Sequence, residues 1–139
     1  MANFTKYSHP LLPISALLLL LLLRGGEAEA APNTAARSVL CNGAVYGVDD
    51  PFAASLAYVL GELESVTPSR ADMYSISPYP NAFAYGRAAC RVGLGGEDCA
   101  SCLAAAVGRM DATCRHAIGA RALLVDCSVR YEQYAFVDF

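Results

Sequence analysis

Six cysteines, Cys41, Cys90, Cys99, Cys102, Cys114 and Cys127, all follow an apolar leader, and three of them form the run Cys90-x8-Cys99-x2-Cys102. An even cysteine set behind an export signal reads as a disulfide framework in a small secreted domain. Spacing alone leaves fifteen possible pairings open. The same residues admit two other chemistries. Cys99, Cys102, Cys114 and His116 are tolerable zinc ligands, and Cys99-Ala100-Ser101-Cys102 has the spacing of a redox pair. Export disfavours both. The CxxC pair also lies inside an expected helix, so no helix N-terminus is aimed at a reactive thiolate.

The leader carries the argument for export. Lys6 supplies a positive start, Leu11 to Leu23 form the apolar run, and Ala28-Glu29-Ala30 offers small residues around a cleavage point. A run of that length is short of the roughly 20 apolar residues that span a bilayer. Residues 1–30 are therefore expected to be a signal peptide, and residues 31–139 a single domain. The sequon Asn3-Phe4-Thr5 is discarded with the leader. Beyond the leader there is no Lys, and eight Arg face eleven Asp or Glu. Such a mildly acidic domain lacks the basic footprint of a nucleic-acid binder and the cationic face of a membrane-active peptide. With no second apolar run, no stable membrane insertion is expected once the leader is removed, and the destination is extracellular.

Residues 31–38 read as a polar, mobile lead-in, and Val39 to Val45 as a strand. Asp49-Asp50-Pro51 opens a helix with a capping carboxylate and a proline at its first position. Phe52, Leu56, Val59, Leu60 and Leu63 recur at helical spacing, so the helix is expected over Pro51 to Ser65, with Pro68 ending it. Ser69 to Asn81 reads as a long loop or irregular strand, and Ala82 to Val92 as a strand. Glu97-Asp98 opens a second helix that carries Cys99, Cys102, Leu103, Ala106, Val107 and Met110 inward. Between Gly119 and Tyr134 two β-rich runs meet near Asp126-Cys127. The class is α+β, with helices packed on one antiparallel sheet.

The run Cys90-x8-Cys99-x2-Cys102, the stretch AYGRAACR before it and AIGARALLVDCSVRYEQYAF after it resemble the ginkbilobin-type branch of the plant cysteine-rich secretory domains. That wider group includes the extracellular domains of receptor-like kinases and plasmodesmal proteins. The resemblance runs from Asn33 to Phe136. It implies two helices on a five-stranded antiparallel sheet and the bridges Cys41–Cys114, Cys90–Cys99 and Cys102–Cys127. It also implies a mannose site, carried onto this chain at Asn42 after the first cysteine, Arg121 in Gly-Ala-Arg and Glu132 in Tyr-Glu-Gln. The function so implied is that of a secreted antifungal lectin of plant defence, binding mannose or mannan of fungal cell walls.

The residue chemistry suits that role. A carboxylate accepts from two neighbouring hydroxyls, a guanidinium offers donors in a fixed fork, and an amide does both. If Asp126-Cys127 is the tip of a two-residue hairpin, Arg121 stands directly opposite Glu132. Alternation then sends Ala122, Leu124, Val129 and Tyr131 to the core, and Arg121, Leu123, Arg130 and Glu132 to the other face. Plainer readings exist. Arg121 and Glu132 could form a cross-strand ion pair worth less than about 1 kcal/mol, and Asn42-Gly43 a simple turn. His116 is the single histidine after the leader and sits beside Cys114, which favours a structural or surface role. No paired-carboxylate, phosphate-loop or cofactor signature stands out. The chain reads as a binding protein and not an enzyme; the alternative is an apoplastic protein-interaction module acting in signalling without sugar.

Overall fold

A computed structural model describes residues 13–16, 18–19 and 31–137. The chain divides into two units, Met1–Ala30 and Ala31–Phe139. In the first, 14–16 and 18–19 are helical, and among the described residues no helix is long and apolar enough to cross a membrane. Lys6, the sequon and the expected cleavage point lie outside the described residues.

The second unit runs β1 (Ala36–Cys41), α1 (Pro51–Arg70), β2 (Asp72–Ile76), β3 (Tyr85–Cys90), α2 (Gly96–Cys114), β4 (Ala120–Leu124) and β5 (Cys127–Glu132). Its five strands form one antiparallel sheet in the order β1-β4-β5-β3-β2. Both helices pack on one face of it, as the α+β reading anticipated. Phe52, Leu56, Val59 and Leu63 of α1 and Cys99, Cys102, Leu103, Ala106 and Met110 of α2 are buried there, against Ala88, Ala122, Leu124, Val129 and Tyr131 of the strands. Gly86 lets β3 pass close beneath α1. A Cβ there would run into Val59 Cγ1 and stand 2.8 Å from Leu63 Cδ1.

The Asp50 carboxylate accepts from the Phe52 N–H at 2.9 Å and caps α1, with Pro51 at the first helical position. Contrary to expectation, α1 continues through Pro68 to Arg70. Proline in the final turn forfeits one ladder bond. Packing of the helix on β2 and β3 holds it beyond the proline. Ala71, at φ +67°, stops the helix by donating to the Thr67 carbonyl at 2.7 Å. The segment read as a long loop or irregular strand then contributes β2, an edge strand carrying Tyr74 and Ile76, whose strand preference the surrounding Ser and Pro obscure.

The three disulfides are Cys41–Cys114, Cys90–Cys99 and Cys102–Cys127. Cys90 and Cys127 are cross-strand partners on β3 and β5. Cys99 and Cys102 lie three apart on α2 and so share a side, which lets the CxxC pair staple both strands to one helix. All six thiols are thereby consumed, which removes the zinc and redox readings of these cysteines.

Residues 31–38, expected to be a mobile lead-in before a strand over Val39 to Val45, are pinned instead: 36–38 already belong to β1, which ends at Cys41. The Asn33 N–H donates to Asp126 Oδ2 at 2.7 Å, the Asp126 N–H donates back to the Asn33 carbonyl, and the Val125 N–H reaches the Ala35 carbonyl. Arg91 Nε donates to Asp126 Oδ1 at 2.9 Å from the opposite side. The Asn33 N–H first, and Arg91 second, hold the Asp126 carboxyl below the usual carboxylate range. Because the folded value is depressed, this contribution is complete above the unfolded value of about 3.9 and is lost as pH falls through the folded one. Urea midpoints of wild type are therefore expected to drop below about pH 4, and Asp126→Asn to flatten that acid limb.

Candidate functional site

The β4–β5 turn is Val125-Asp126, one residue earlier than expected, because Cys127 already belongs to β5 opposite Cys90. The register of the hairpin is thereby shifted by two residues. Arg121 stands opposite Arg130, and Ala120 opposite Tyr131, so the expected Arg121–Glu132 pairing is wrong. A one-residue slip would have turned every side chain over, whereas a slip of two preserves the faces. Ala122, Leu124, Val129 and Tyr131 are buried as anticipated, and Arg121, Arg130 and Glu132 share the face turned away from the helices.

On that face lies a recess of about 410 Å³ lined by Leu40, Cys41, Asn42, Gly119, Ala120, Arg121, Arg130 and Glu132. All three residues singled out from the sequence are therefore on one concavity, although Glu132 reaches it by a different neighbour. Asn42 is exposed immediately past β1, and its N–H donates to the Gly119 carbonyl at 2.8 Å. The Cys41–Cys114 bridge ties this point to the end of α2. Arg121 arrives from β4 opposite Leu40 of β1. Glu132 ends β5, and its Oε1 accepts from Arg130 Nε at 3.2 Å, both side chains being largely buried.

Two polar atoms of the recess lining are left over. Glu132 Oε2 and Arg121 Nε are buried and have no hydrogen-bond partner among the described residues. Buried polar groups are nearly always paired, and each orphan costs on the order of 1–3 kcal/mol. Glu132 Oε2 lies against Gly119, where any Cβ would collide with it. Of the lining residues that bear on the Glu132 carboxylate, Gly119 and Arg130 were not singled out by sequence reasoning. Arg130 had a usable signal: it sits two residues before Glu132 and so shares its face. Gly119 had none, since its need for a missing Cβ arises from a carboxylate thirteen residues away.

A second concavity of about 340 Å³ lies between the helices, lined among others by Tyr46, Leu60, Val107, Met110, Asp111 and His116. His116, itself exposed, stacks on Tyr46 with ring centroids 5.2 Å apart, and Tyr46 in turn meets the buried Phe52 edge-on. Tyr131 donates from its phenol to the Ala117 carbonyl at 2.8 Å. Burial, followed by the charges of Tyr46, Glu132 and Asp111, pushes that phenol far above its ordinary range, so it remains a neutral donor.

A family model described as salt stress response/antifungal matches residues 40–134. The chain belongs to this family. Relatives identify it as ginkbilobin-like: antifungal protein ginkbilobin-like protein 1 of Picea glauca is 37% identical over 134 residues, covering 94% of each chain. Antifungal protein ginkbilobin-2 of Ginkgo biloba is 38% identical over 109 residues, or 76% of this chain and 81% of the relative. Among solved structures, the tandem DUF26 ectodomain of the Arabidopsis thaliana cysteine-rich receptor-like protein PDLP5 superposes with a TM-score of 0.69 at 20% identity, over 74% of this chain and 52% of that one. The corresponding ectodomain of PDLP8 gives 0.61 at 31% identity, over 73% and 46%. This salt stress response/antifungal chain spans about half of each tandem ectodomain.

Proposed function

We propose that this protein is a secreted, mannose-binding antifungal protein, processed after Ala30, that engages mannose-bearing glycans of fungal cell walls through Asn42, Arg121 and Glu132. The observation that carries the reading is the convergence of an exposed amide, a guanidinium and a carboxylate on one recess, with two polar atoms of that lining unpartnered. Adjacent hydroxyls of a hexose can supply a donor to the carboxylate and acceptors to the guanidinium at once. A sugar with the wrong hydroxyl orientation leaves one of them desolvated and unpaired, which is the source of selectivity. The antifungal part of the reading is supported by the family and by the antifungal relatives. A shallow site binds a monosaccharide weakly, so useful strength comes from repeated engagement of dense wall mannan.

The test is a glycan-binding titration on wild type and on Asn42→Ala, Arg121→Ala and Glu132→Ala, alongside a fungal growth assay with the same proteins. Loss of a hydrogen bond to a charged group weakens binding by roughly 10- to 100-fold, so Arg121→Ala and Glu132→Ala are expected to lose that much. Asn42→Ala, losing a neutral bond, should fall by about fivefold. A correctly folded wild type with no affinity for mannose would sink the lectin reading and favour an apoplastic protein-interaction role related to receptor-like ectodomains.

A further inference from the structure

The stretch between β1 and α1 holds the one Asn-Gly pair of the chain, Asn42-Gly43. Its backbone is tied on both sides. The Asn42 N–H donates to the Gly119 carbonyl at 2.8 Å, and the Ala44 carbonyl accepts from the Ile118 N–H at 3.0 Å. Between these ties nothing engages the pair. Among the described residues the Asn42 side-chain amide has no hydrogen-bond partner, and the Gly43 N–H donates to none. Both residues are exposed, and a Cβ placed on Gly43 would meet nothing within 4 Å beyond its chain neighbours. The other described asparagines differ. Asn33 is followed by Thr34, and its Oδ1 accepts from the Ala35 N–H at 3.1 Å; Asn81 is followed by Ala82.

An asparagine amide and the main-chain nitrogen that follows it can react with each other, which is why asparagine is a thermolabile residue. The Gly43 nitrogen gives up its proton and bonds to Asn42 Cγ. The Cγ–Nδ2 bond breaks, and Nδ2 leaves with that proton as ammonia, closing a cyclic imide. Glycine favours the closure because it has no Cβ beside the attacking nitrogen and turns freely about its backbone bonds. A hydrogen bond on either reacting group would hold it back, and neither group has one among the described residues. Water then opens the imide. Attack at Cγ leaves aspartate; attack at the main-chain carbonyl leaves isoaspartate, in which the chain runs through Cβ and Cγ and is longer. Neither product keeps the amide donors that Asn42 brings to the recess. The longer chain also disturbs the tie to Gly119, the residue that makes room for the Glu132 carboxylate. We infer that Asn42-Gly43 is a site of spontaneous deamidation that limits the working life of the recess, the reactants being the chain's own amide and water. The modification needs no ligand; its effect on binding rests on the sugar-binding reading above.

The test ages the disulfide-intact protein in mildly alkaline buffer, beside its reduced and alkylated, unfolded form and beside Gly43→Ala. Peptide mapping by mass spectrometry follows each asparagine, and calorimetric titration with mannose is run on the same samples. Asn42 is expected to convert in the folded protein at a rate close to that of the unfolded chain, with isoaspartate among the products, while Asn33 and Asn81 stay intact. Gly43→Ala, for which there is open space, should convert at least about tenfold more slowly. Mannose affinity of the converted fraction should fall by about fivefold or more, as for loss of a neutral hydrogen bond, and aged Gly43→Ala should keep its affinity. Asn42 left intact in the folded protein after the unfolded chain has converted overturns the inference. So do equal rates in wild type and Gly43→Ala, and so does conversion that leaves mannose affinity unchanged. Conversion of Asn42 in a protein whose fresh form has no affinity for mannose supports the modification site and overturns the sugar-binding reading, so the two fail separately.

Discussion

Replacing Cys41 and Cys114 together by alanine is expected to lower stability by about 4 kcal/mol, the largest loss for any of the three bridges. The bridge closes a separation of 73 residues, against 25 for Cys102–Cys127 and 9 for Cys90–Cys99, and the entropy withheld from the unfolded chain grows with that length. The position adds to the effect. β1 is an edge strand paired only to β4, and none of its residues is fully buried, so little apolar burial holds it in place. For a domain of about this size the loss corresponds to a fall in Tm of roughly 20 °C. Asn42, next to Cys41, would be released with the strand, so sugar affinity should fall at temperatures where the rest of the fold survives. Thermal unfolding followed by circular dichroism, with binding measured below the transition, checks both parts. A loss under about 1 kcal/mol would mean that the β1 ladder and the Asn33–Asp126 clamp hold the strand without the bridge.

The second large effect is on binding, with a smaller cost in stability. In Gly119→Ala the new Cβ collides with Glu132 Oε2 and stands 2.8 Å from its Cδ. The obstructing atoms are the end of a flexible side chain, and Gly119 has no left-handed φ that an alanine would resist, so the fold can accommodate the change. The carboxylate cannot stay where it is. Turning it away breaks its bond from Arg130 and takes the acceptor out of the recess, so sugar binding should fall by about tenfold or more, with a stability loss on the order of 1–3 kcal/mol for the separated pair. The pairing of outcomes is what distinguishes this variant from Glu132→Ala: nothing is removed from the chain, and only the position of the carboxylate changes. Undiminished glycan binding by Gly119→Ala would show that the observed Glu132 position is not the one used.

Local chemistry accounts for much of this molecule. Asp50-Pro51 and the spacing of Phe52, Leu56, Val59 and Leu63 are enough to start α1 and orient it, because capping and helical periodicity are properties of neighbours in the chain. The inward and outward faces of β4 and β5 follow in the same way from alternation. Asn42, Arg121 and Glu132 were legible as candidates through their resemblance to a family pattern, together with the disulfide pairing. Pro68 misled because a terminal-turn proline forfeits only one bond, and packing of α1 on β2 and β3 outweighs it.

What the order of residues left open depends on elements distant in the chain. Alternation is blind to a slip of two residues, so only the turn, anchored by Asn33 and Arg91 on Asp126, decides that Arg121 faces Arg130. That decision sets Arg87, Arg130 and Arg121 side by side on neighbouring strands. Likewise, only packing shows that Gly119 must lack a side chain, or that residues 31–35 are clamped. The sequence by itself determined the disulfide-bonded α+β class, the faces of its elements and the polar residues available for binding. The tertiary structure alone decided which of those residues are neighbours, since side-chain period constrains faces while register is set by contacts between segments far apart in the chain.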